Sequence, residues 1–345
     1  MKTTLITGAA GFIGSNFSNY MIKKYPFEKF IITDALTYAG NLNNLNPIKN
    51  HTNFSFLKLD IREAQKINEL FQNYKIDHVI HFAAESHVDN SIVNPNIFAE
   101  TNILGTLNLL NAARSFWDSN FDNKLFYHIS TDEVYGSLGD NGFFTEETPY
   151  QPNSPYSASK AASDHFVRAF NETYNLPTII SNCSNNYGPY QFPEKLIPVC
   201  IQKILNNEPI PIYGDGTNVR DWLYVQDHVE AIELIIQKGK IGSTYNIGGN
   251  NELSNLTLVE KLIKIIDKKT NRKPGASKGL IQFVKDRAGH DFRYAIDSTK
   301  IKSAVGWQPK TNIDRGIEMT IDWYLSNQTW LNEIKTGTYR SLDTL

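Results

Sequence analysis

The feature that most limits what this chain can fold into is an apolar run at residues 3–7 that passes directly into Gly8-Ala-Ala-Gly11-Phe12-Ile13-Gly14. A strand feeding a glycine-rich turn and then a helix lets the backbone reverse tightly, and glycine lets it approach a pyrophosphate at the positive end of that helix. The context carries the inference more than the glycines do, because the same residues elsewhere would be an ordinary turn. Residues 3–7, 30–33, 54–59, 78–82, 125–130 and 178–181 read as strands, separated by stretches of helical apolar spacing such as 67–74 and 97–116. Strand alternating with helix predicts an α/β fold, a doubly wound parallel sheet of Rossmann type covered on both faces.

Past residue 186 this beat loosens. Pro189, Pro193, Pro198, Pro209 and Pro211 interrupt it, and Gly214 and Gly216 mark a turn around Asp215. Residues 227–237 look helical, 243–247 look like a strand returning to the first sheet, and helices are expected at 256–268 and 313–326. The organisation expected is a dinucleotide-binding domain over residues 1–185 with a return segment at about 220–249. A smaller interleaved α/β substrate lobe would come from 186–219 and 250–345.

With 345 residues, 41% hydrophobic and 20% charged, and a formal net charge of −2, the chain has the balance of an ordinary globular protein. No basic tract suggests nucleic acid, and no apolar stretch approaches the ~20 residues that span a bilayer. The two cysteines, Cys183 and Cys200, fit neither a metal site nor a disulfide framework. With no secretory leader at the start, a cytoplasmic protein without a metal is expected.

Asp34 closes the second strand, where a carboxylate can accept hydrogen bonds from the ribose hydroxyls of an adenosine and would repel a 2′-phosphate. Ala35-Leu36-Thr37-Tyr38 supplies no arginine for such a phosphate, so the cofactor expected is NAD. Asp60-Ile61, after the third strand, is placed either to meet the adenine or to cap a helix.

Tyr156 and Lys160 stand four residues apart, hence on one helical face, with Pro155 suited to the first helical position. A neighbouring ammonium stabilises phenolate and draws a tyrosine pKa toward neutrality, and an oxidised nicotinamide would add to this. Such a phenolate can take a proton from a sugar hydroxyl while hydride leaves its carbon. In a chain with 17 tyrosines the pair alone is a weak signal. It gains weight from Thr131-Asp132-Glu133, directly after the fifth strand, where doubly wound folds bind ligands. Two adjacent carboxyl groups in a partly dry cleft do not readily both ionise, which supplies an acid and a base together.

Taken together, Gly8-x-x-Gly11-x-x-Gly14, Ala83-Ala84-Glu-Ser86-His-Val-Asp89, Ser130-Thr-Asp-Glu-Val-Tyr-Gly136, Tyr156-Ser-Ala-Ser-Lys160, Ser184-Asn-Asn-Tyr-Gly-Pro189 and Arg220-Asp-Trp-Leu-Tyr-Val225 resemble the dTDP-glucose 4,6-dehydratases, which are extended short-chain dehydrogenases/reductases. The likeness runs from the first strand to about Trp323. It implies that Tyr156, helped by Thr131 and Lys160, deprotonates the C4 hydroxyl of a nucleotide-linked glucose while C4 is oxidised by tightly held NAD. Glu133 would then remove the C5 proton, Asp132 would protonate the departing C6 hydroxyl, and the hydride would return to C6. The same likeness puts Phe82, Ala83, Ala84, Ser86, Thr101 and Asn186 around the cofactor. It puts Ser86, Thr131, Asn185, Lys195 and Leu196 around the sugar and diphosphate, and Pro211, Ile212 and Tyr213 at the nucleoside. Arg220 and Arg287 would clamp the phosphates, with Asn255 and His290 completing the pocket. Ala288 departs from the proline of the family pattern, which bears on the placement of Arg287. Members are homodimers joined through a four-helix bundle, for which 97–116 and the Tyr156 helix are the candidates here.

Two other readings stay open at this point. A UDP-sugar 4-epimerase, or a dehydratase of another nucleotide sugar, would share the tyrosine and lysine, although an epimerase has no need of the carboxyl pair. A non-catalytic NAD-binding regulator would share the fold, although such proteins usually lose the tyrosine or lysine.

Overall fold

A computed structural model describes residues 2–341. Twelve strands are present among them: β1 (Thr3–Thr7), β2 (Lys29–Asp34), β3 (Phe54–Lys58), β4 (His78–His81), β5 (Leu125–Thr131), β6 (Thr178–Cys183), β7 (Asn185–Tyr187), β8 (Ile210–Tyr213), β9 (Val219–Tyr224), β10 (Thr244–Ile247), β11 (Glu252–Ser254) and β12 (Ile281–Val284). Seven form one sheet in the order β10-β6-β5-β4-β1-β2-β3, and every pairing within it is parallel. The order reverses between β1 and β4, so the crevice at their carboxyl ends is the topological switch point where such sheets bind ligands.

Parallel strands covered by helices are buried on both faces, and β1 and β5 are buried at every position, β2 at all but its first. One face packs Phe17, Met21, Ile22, Val229, Ile232 and Ile235 against the sheet, from the helices Phe12–Lys24 and Val225–Lys238. The other packs Leu70, Phe71, Leu109, Ala113, Val167 and Phe170, from Ala64–Tyr74, Thr106–Trp117 and Pro155–Tyr174. The helix expected at 97–116 is one rod in three pieces, with a π-helical stretch at Ala99–Gly105 between α-helical Pro95–Phe98 and Thr106–Trp117.

β7, β9 and β11 form a three-stranded sheet, and β8 pairs with β12. They share a separate apolar core with the helices Leu196–Leu205, Asn255–Lys269 and Ile313–Ser326. The strand expected at 243–247 is β10, at the edge of the large sheet beside β6. Sequence reading missed the short strands of the second core and the helix Gln328–Thr336. Strands of three or four residues between prolines carry too few positions for a period-two pattern to register.

The last described segment ties back to the start of the chain. Trp330 Nε1 donates to Asn44 Oδ1 at 2.8 Å, and Asn44 Nδ2 donates to the Ala10 carbonyl at 2.8 Å. Tyr339 OH donates to the Tyr38 carbonyl at 2.5 Å.

Gly14 is a tight point of the frame. A Cβ there would stand 2.1 Å from the Gly8 carbonyl oxygen, backbone that cannot give way without moving β1 or its helix. Gly14→Ala is therefore expected to lower the unfolding free energy by about 2–3 kcal/mol. Urea denaturation measures this, and an unchanged midpoint would show that the contact relaxes freely.

Candidate active site

One cleft follows the carboxyl edge of the large sheet from Asp60 and Ile61, after β3, to Asn185 and Lys195, beyond β6. Its walls bring together Gly8, Gly11, Phe12, Ile13, Gly14, Asp34, Ala35, Thr37, Asp60, Ile61, Phe82, Ala83, Ala84, Ser86, Thr101, Thr131, Asp132, Glu133, Tyr156, Lys160, Asn185, Asn186 and Lys195. The cleft also includes Glu85, Arg62, Gln191, Phe192 and Glu194, which sequence reading did not single out. Glu85 stood inside a quoted motif, whereas Phe192 and Glu194 lie in irregular chain with no period to flag them.

The nucleotide end is built from the glycine turn. Gly8 has φ +68°, and a Cβ there would meet Ala83 N at 2.7 Å. A Cβ on Gly11 would meet only the Gly8 carbonyl, at 3.3 Å, so its face stays open to a phosphate at the start of Phe12–Lys24. Asp34 Oδ2 accepts from Ala10 N at 2.9 Å and Oδ1 from Leu36 N at 2.8 Å, which leaves a lone pair on each oxygen for a ribose hydroxyl. Leu36, expected beside the cofactor, does not line the cleft; with φ 54° it turns the chain and holds the Asp34 carboxylate. Asp60 does not cap the next helix, whose N-cap is Glu63. Its carboxylate instead takes Arg62 Nε and Nη2, the latter at 2.6 Å. These walls fit a dinucleotide: an open glycine face at a helix start, a carboxylate at the end of β2, and an Arg62 whose guanidinium is taken up by Asp60.

The reacting end is carried by β5 and Pro155–Tyr174. Ser154 caps that helix in a reciprocal capping box with Ser157, and Pro155 takes the first helical position, so Tyr156 and Lys160 sit in its opening turns. Asn102, in the π-helical stretch, fixes this helix against the loop after β4. Its Nδ2 donates to Ser159 Oγ at 2.8 Å and to the Glu85 carbonyl at 3.0 Å, while its Oδ1 accepts from Glu85 N at 2.8 Å. Nothing in a linear pattern marks an asparagine of this kind.

Lys160 Nζ donates to the Ile129 carbonyl at 2.8 Å and lies 3.3 Å from His128 Nε2, leaving one ammonium proton for the cleft. Burial pushes the Tyr156 phenol well above the ordinary value, and the charges of Glu133 and Asp132 push the same way. Desolvation opposes the phenolate, the form that an ammonium and an oxidised nicotinamide would favour.

The two carboxyl groups are set apart by their surroundings. Asp132 is 1% exposed, its Oδ2 has no hydrogen-bond partner, and burial first, then Glu133 and Asp221, raise its pKa well above the carboxylate range. Glu133 is also raised by burial, but Lys195 and Arg220 favour its anion. Asp132 is thus the better proton donor and Glu133 the better acceptor.

Outside the cleft wall the expected substrate residues gather in part. Arg287 lies over the Tyr213 ring at 5.1 Å, and His290 meets the same ring edge-on at 6.3 Å. Arg220 and Arg287, expected to clamp the phosphates, are both engaged with protein groups. Arg220 donates to the carbonyls of Val219, Phe292 and Asp291 and lies over Tyr294 at 4.3 Å. Arg287 pairs with Asp89, Nη2 to Oδ2 at 2.9 Å and Nε to Oδ1 at 2.5 Å. Leu196 packs on the second core, Ile212 is buried in it, Pro211 lies beside it in β8, and Asn255 opens the helix Asn255–Lys269.

A parallel doubly wound sheet whose switch-point cleft presents a tyrosine and a lysine one helical turn apart defines an extended short-chain dehydrogenase/reductase, and the carboxyl pair sets it apart from plain oxidoreductases. Residues 5–320 match the family described as GDP-mannose 4,6 dehydratase, and the chain belongs to that family. It is 52% identical to the dTDP-glucose 4,6-dehydratase of Xanthomonas campestris pv. campestris (strain B100), over 99% of this chain and 98% of that one. Among solved structures, the dTDP-glucose 4,6-dehydratase of Bacillus anthracis str. Ames in complex with NAD is 43% identical, with a TM-score of 0.86 over 97% of this chain and 100% of that one. The dTDP-glucose 4,6-dehydratase of Streptomyces venezuelae with NAD and TYD bound is 41% identical, with a TM-score of 0.88 over 96% and 99%.

Because the folded-state pKa of Asp132 lies above its unfolded value, ionising it opposes folding. Stability present at low pH is lost as pH climbs from the unfolded value of about 3.9 toward the folded one. Asp132→Asn, which cannot ionise, is expected to exceed the wild type in unfolding free energy by roughly 1 kcal/mol or more at pH 8, with the gap closing toward pH 4. A gap that does not vary with pH would contradict the buried, protonated state.

Proposed function

We infer that this protein is a dTDP-glucose 4,6-dehydratase, an NAD-dependent hydro-lyase that converts dTDP-glucose to dTDP-4-keto-6-deoxyglucose and water in deoxysugar biosynthesis of the rhamnose type. The observation that carries this reading is the placement of Asp132, Glu133, Tyr156 and Lys160 on one cleft wall. The 52% identity to a full-length dTDP-glucose 4,6-dehydratase supports the same substrate. The carboxyl pair speaks against an epimerase, and the intact tyrosine and lysine against a regulator without chemistry.

Bound NAD supplies the two-electron chemistry this chain lacks, accepting hydride from C4 and returning it at C6. Gly11 and the helix start hold its pyrophosphate, Asp34 the adenosine ribose, and Lys160 the ribose at the reacting end. Tyr156 takes the O4 proton, with the Thr131 hydroxyl beside it. Once C4 is a ketone the C5 proton is acidic enough for Glu133 to remove it, and Asp132 delivers its proton to the leaving C6 hydroxyl. Glu133 returns its proton to C5 after hydride reaches C6. The site resets when the proton on Tyr156 passes to Asp132, and Thr131 Oγ lies 3.5 Å from Asp132 Oδ1. Lys195 and the Arg287–Asp89 pair stand nearest the expected diphosphate, and Tyr213 offers a ring face to the base.

Exposed apolar side chains on the two candidate bundle helices, Leu104 and Phe116 on one and Phe166 on the other, favour a homodimer through that face. A reducing compartment, the cytoplasm, suits the two free buried cysteines, and no helix among the described residues is long and apolar enough to cross a membrane.

Incubation with dTDP-glucose should give a product lighter by one water. Tyr156→Phe should abolish turnover while bound NAD is retained, and Glu133→Gln should slow solvent deuterium entry at C5 more than oxidation at C4. Near-normal turnover by the first variant, or wild-type exchange by the second, would remove the role assigned. For the assembly, sedimentation should give a dimer that Leu104→Glu with Phe166→Glu converts to monomer; an unshifted species would place the interface elsewhere.

A further inference from the structure

Behind Lys160, one turn further along the same helix, lies a third carboxyl group, which the reaction above does not use. Asp164 is 1% exposed. Its Oδ2 accepts from Ser130 Oγ at 2.8 Å and from Tyr150 OH at 3.0 Å, two donors that favour the ionised form. Its Oδ1 has no hydrogen-bond donor, and lies 3.2 Å from His128 Nε2. That nitrogen is also 3.3 Å from Lys160 Nζ. An imidazole nitrogen that accepts from the ammonium has no proton to give the carboxylate. The free oxygen therefore faces the lysine's end of the pocket as an unneutralised charge, in surroundings too dry to screen it.

The other ionisable groups around this spot do not replace it. His128, from β5, is kept neutral by burial and by Lys160. His81, from β4, has its ring 5.1 Å from that of His128 and is likewise held far below its ordinary value. Cys183 of β6 has a thiol pushed up to about 12, and the phenols of Tyr150 and Tyr135 are raised by burial. His165, the next residue on the helix, adds a small favourable effect on Asp164. The Asp164 carboxyl, raised by burial to about 6, is ionised at neutral pH, and Lys160 lowers it in return. Burial lowers the Lys160 ammonium, and Asp164 is the main influence holding it up.

We propose that Asp164 is a positioning residue for the dehydratase reaction: a buried counter-charge that keeps Lys160 an ammonium while Tyr156 gives up its proton. This rests on the reading of Tyr156 and Lys160 as the C4 oxidation pair. Glu133 and Cys183 act most strongly on the Tyr156 phenol, followed by Asp132, whereas the main charged partner of Asp164 is Lys160, so the effect of Asp164 is exerted on the lysine. Without the carboxylate the buried ammonium loses its proton at lower pH, and C4 oxidation fails earlier on the alkaline side.

The test is single-turnover reduction of the resident nicotinamide by dTDP-glucose in the holoenzyme, followed by absorbance across a pH series. Asp164→Asn is expected to move the alkaline limb down by about one unit, which lowers the rate there about tenfold, while Asp164→Glu restores the wild-type limb. If Asp164→Asn does not fold, Asp164→Glu against Asp164→Gln makes the same comparison at equal size, with the alkaline limb lower in the uncharged variant. A loss of thermal stability alone, with superimposable profiles in the charged and uncharged variants, overturns the proposal in favour of a purely structural carboxylate. A wild type that never reduces its nicotinamide overturns the dehydratase reading and this proposal with it.

Discussion

Desolvation governs the chemistry of this cleft. Asp132, Tyr156, Lys160 and Asp164 are each more than nine-tenths buried, so no water sets their charge and each takes the state its neighbours allow. The same dryness gives two adjacent residues of the β5 turn opposite tendencies. Asp132 faces Glu133 and Asp221 and keeps its proton, while Glu133 faces Lys195 and Arg220 and gives its proton up more easily. A carboxyl pair on the surface would ionise together and could not divide acid from base in this way.

The backbone frame exists to hold that arrangement still. β5 delivers Thr131-Asp132-Glu133, a capped helix delivers Tyr156 and Lys160, and Asn102 joins this helix to the loop after β4 from a π-helical stretch. A π-helical turn spoils local hydrogen bonding and survives where it aims a side chain, as it does here with Asn102. Thr7, His81 and Thr106 run a second buried bridge beneath, with the imidazole 2.7 Å and 2.9 Å from the two hydroxyls.

Much of this was legible from residue order because the first half of the chain obeys simple rules. β1 matches its expected span, and short β-branched or apolar stretches alternate with helical spacing because helices cover both faces of the sheet. Glycine spacing and a carboxylate at the end of β2 pointed to residues that line the cleft. What could not be read was anything decided by tertiary contact. Leu36 looks like a wall residue yet acts through its backbone N–H, and Arg220 looks like a phosphate fork yet holds three carbonyls. Burial raises the Tyr156 phenol, a contribution residue order does not show, because a sequence gives the lysine beside it and not how dry the site is. The second lobe was faint because its short strands are defined by partners far along the chain.

The ties from Trp330 to Asn44 and from Tyr339 to Tyr38 join residues 286 and 301 positions apart. The loop they grip reaches the glycine turn through Asn44 and borders Asp34, so the nucleotide crevice has a border supplied late in synthesis. A nascent chain that had released only its parallel sheet would own the whole reactive wall and still lack this brace. The border of the crevice in the α/β half is thus completed by side chains that lie at the far end of the sequence.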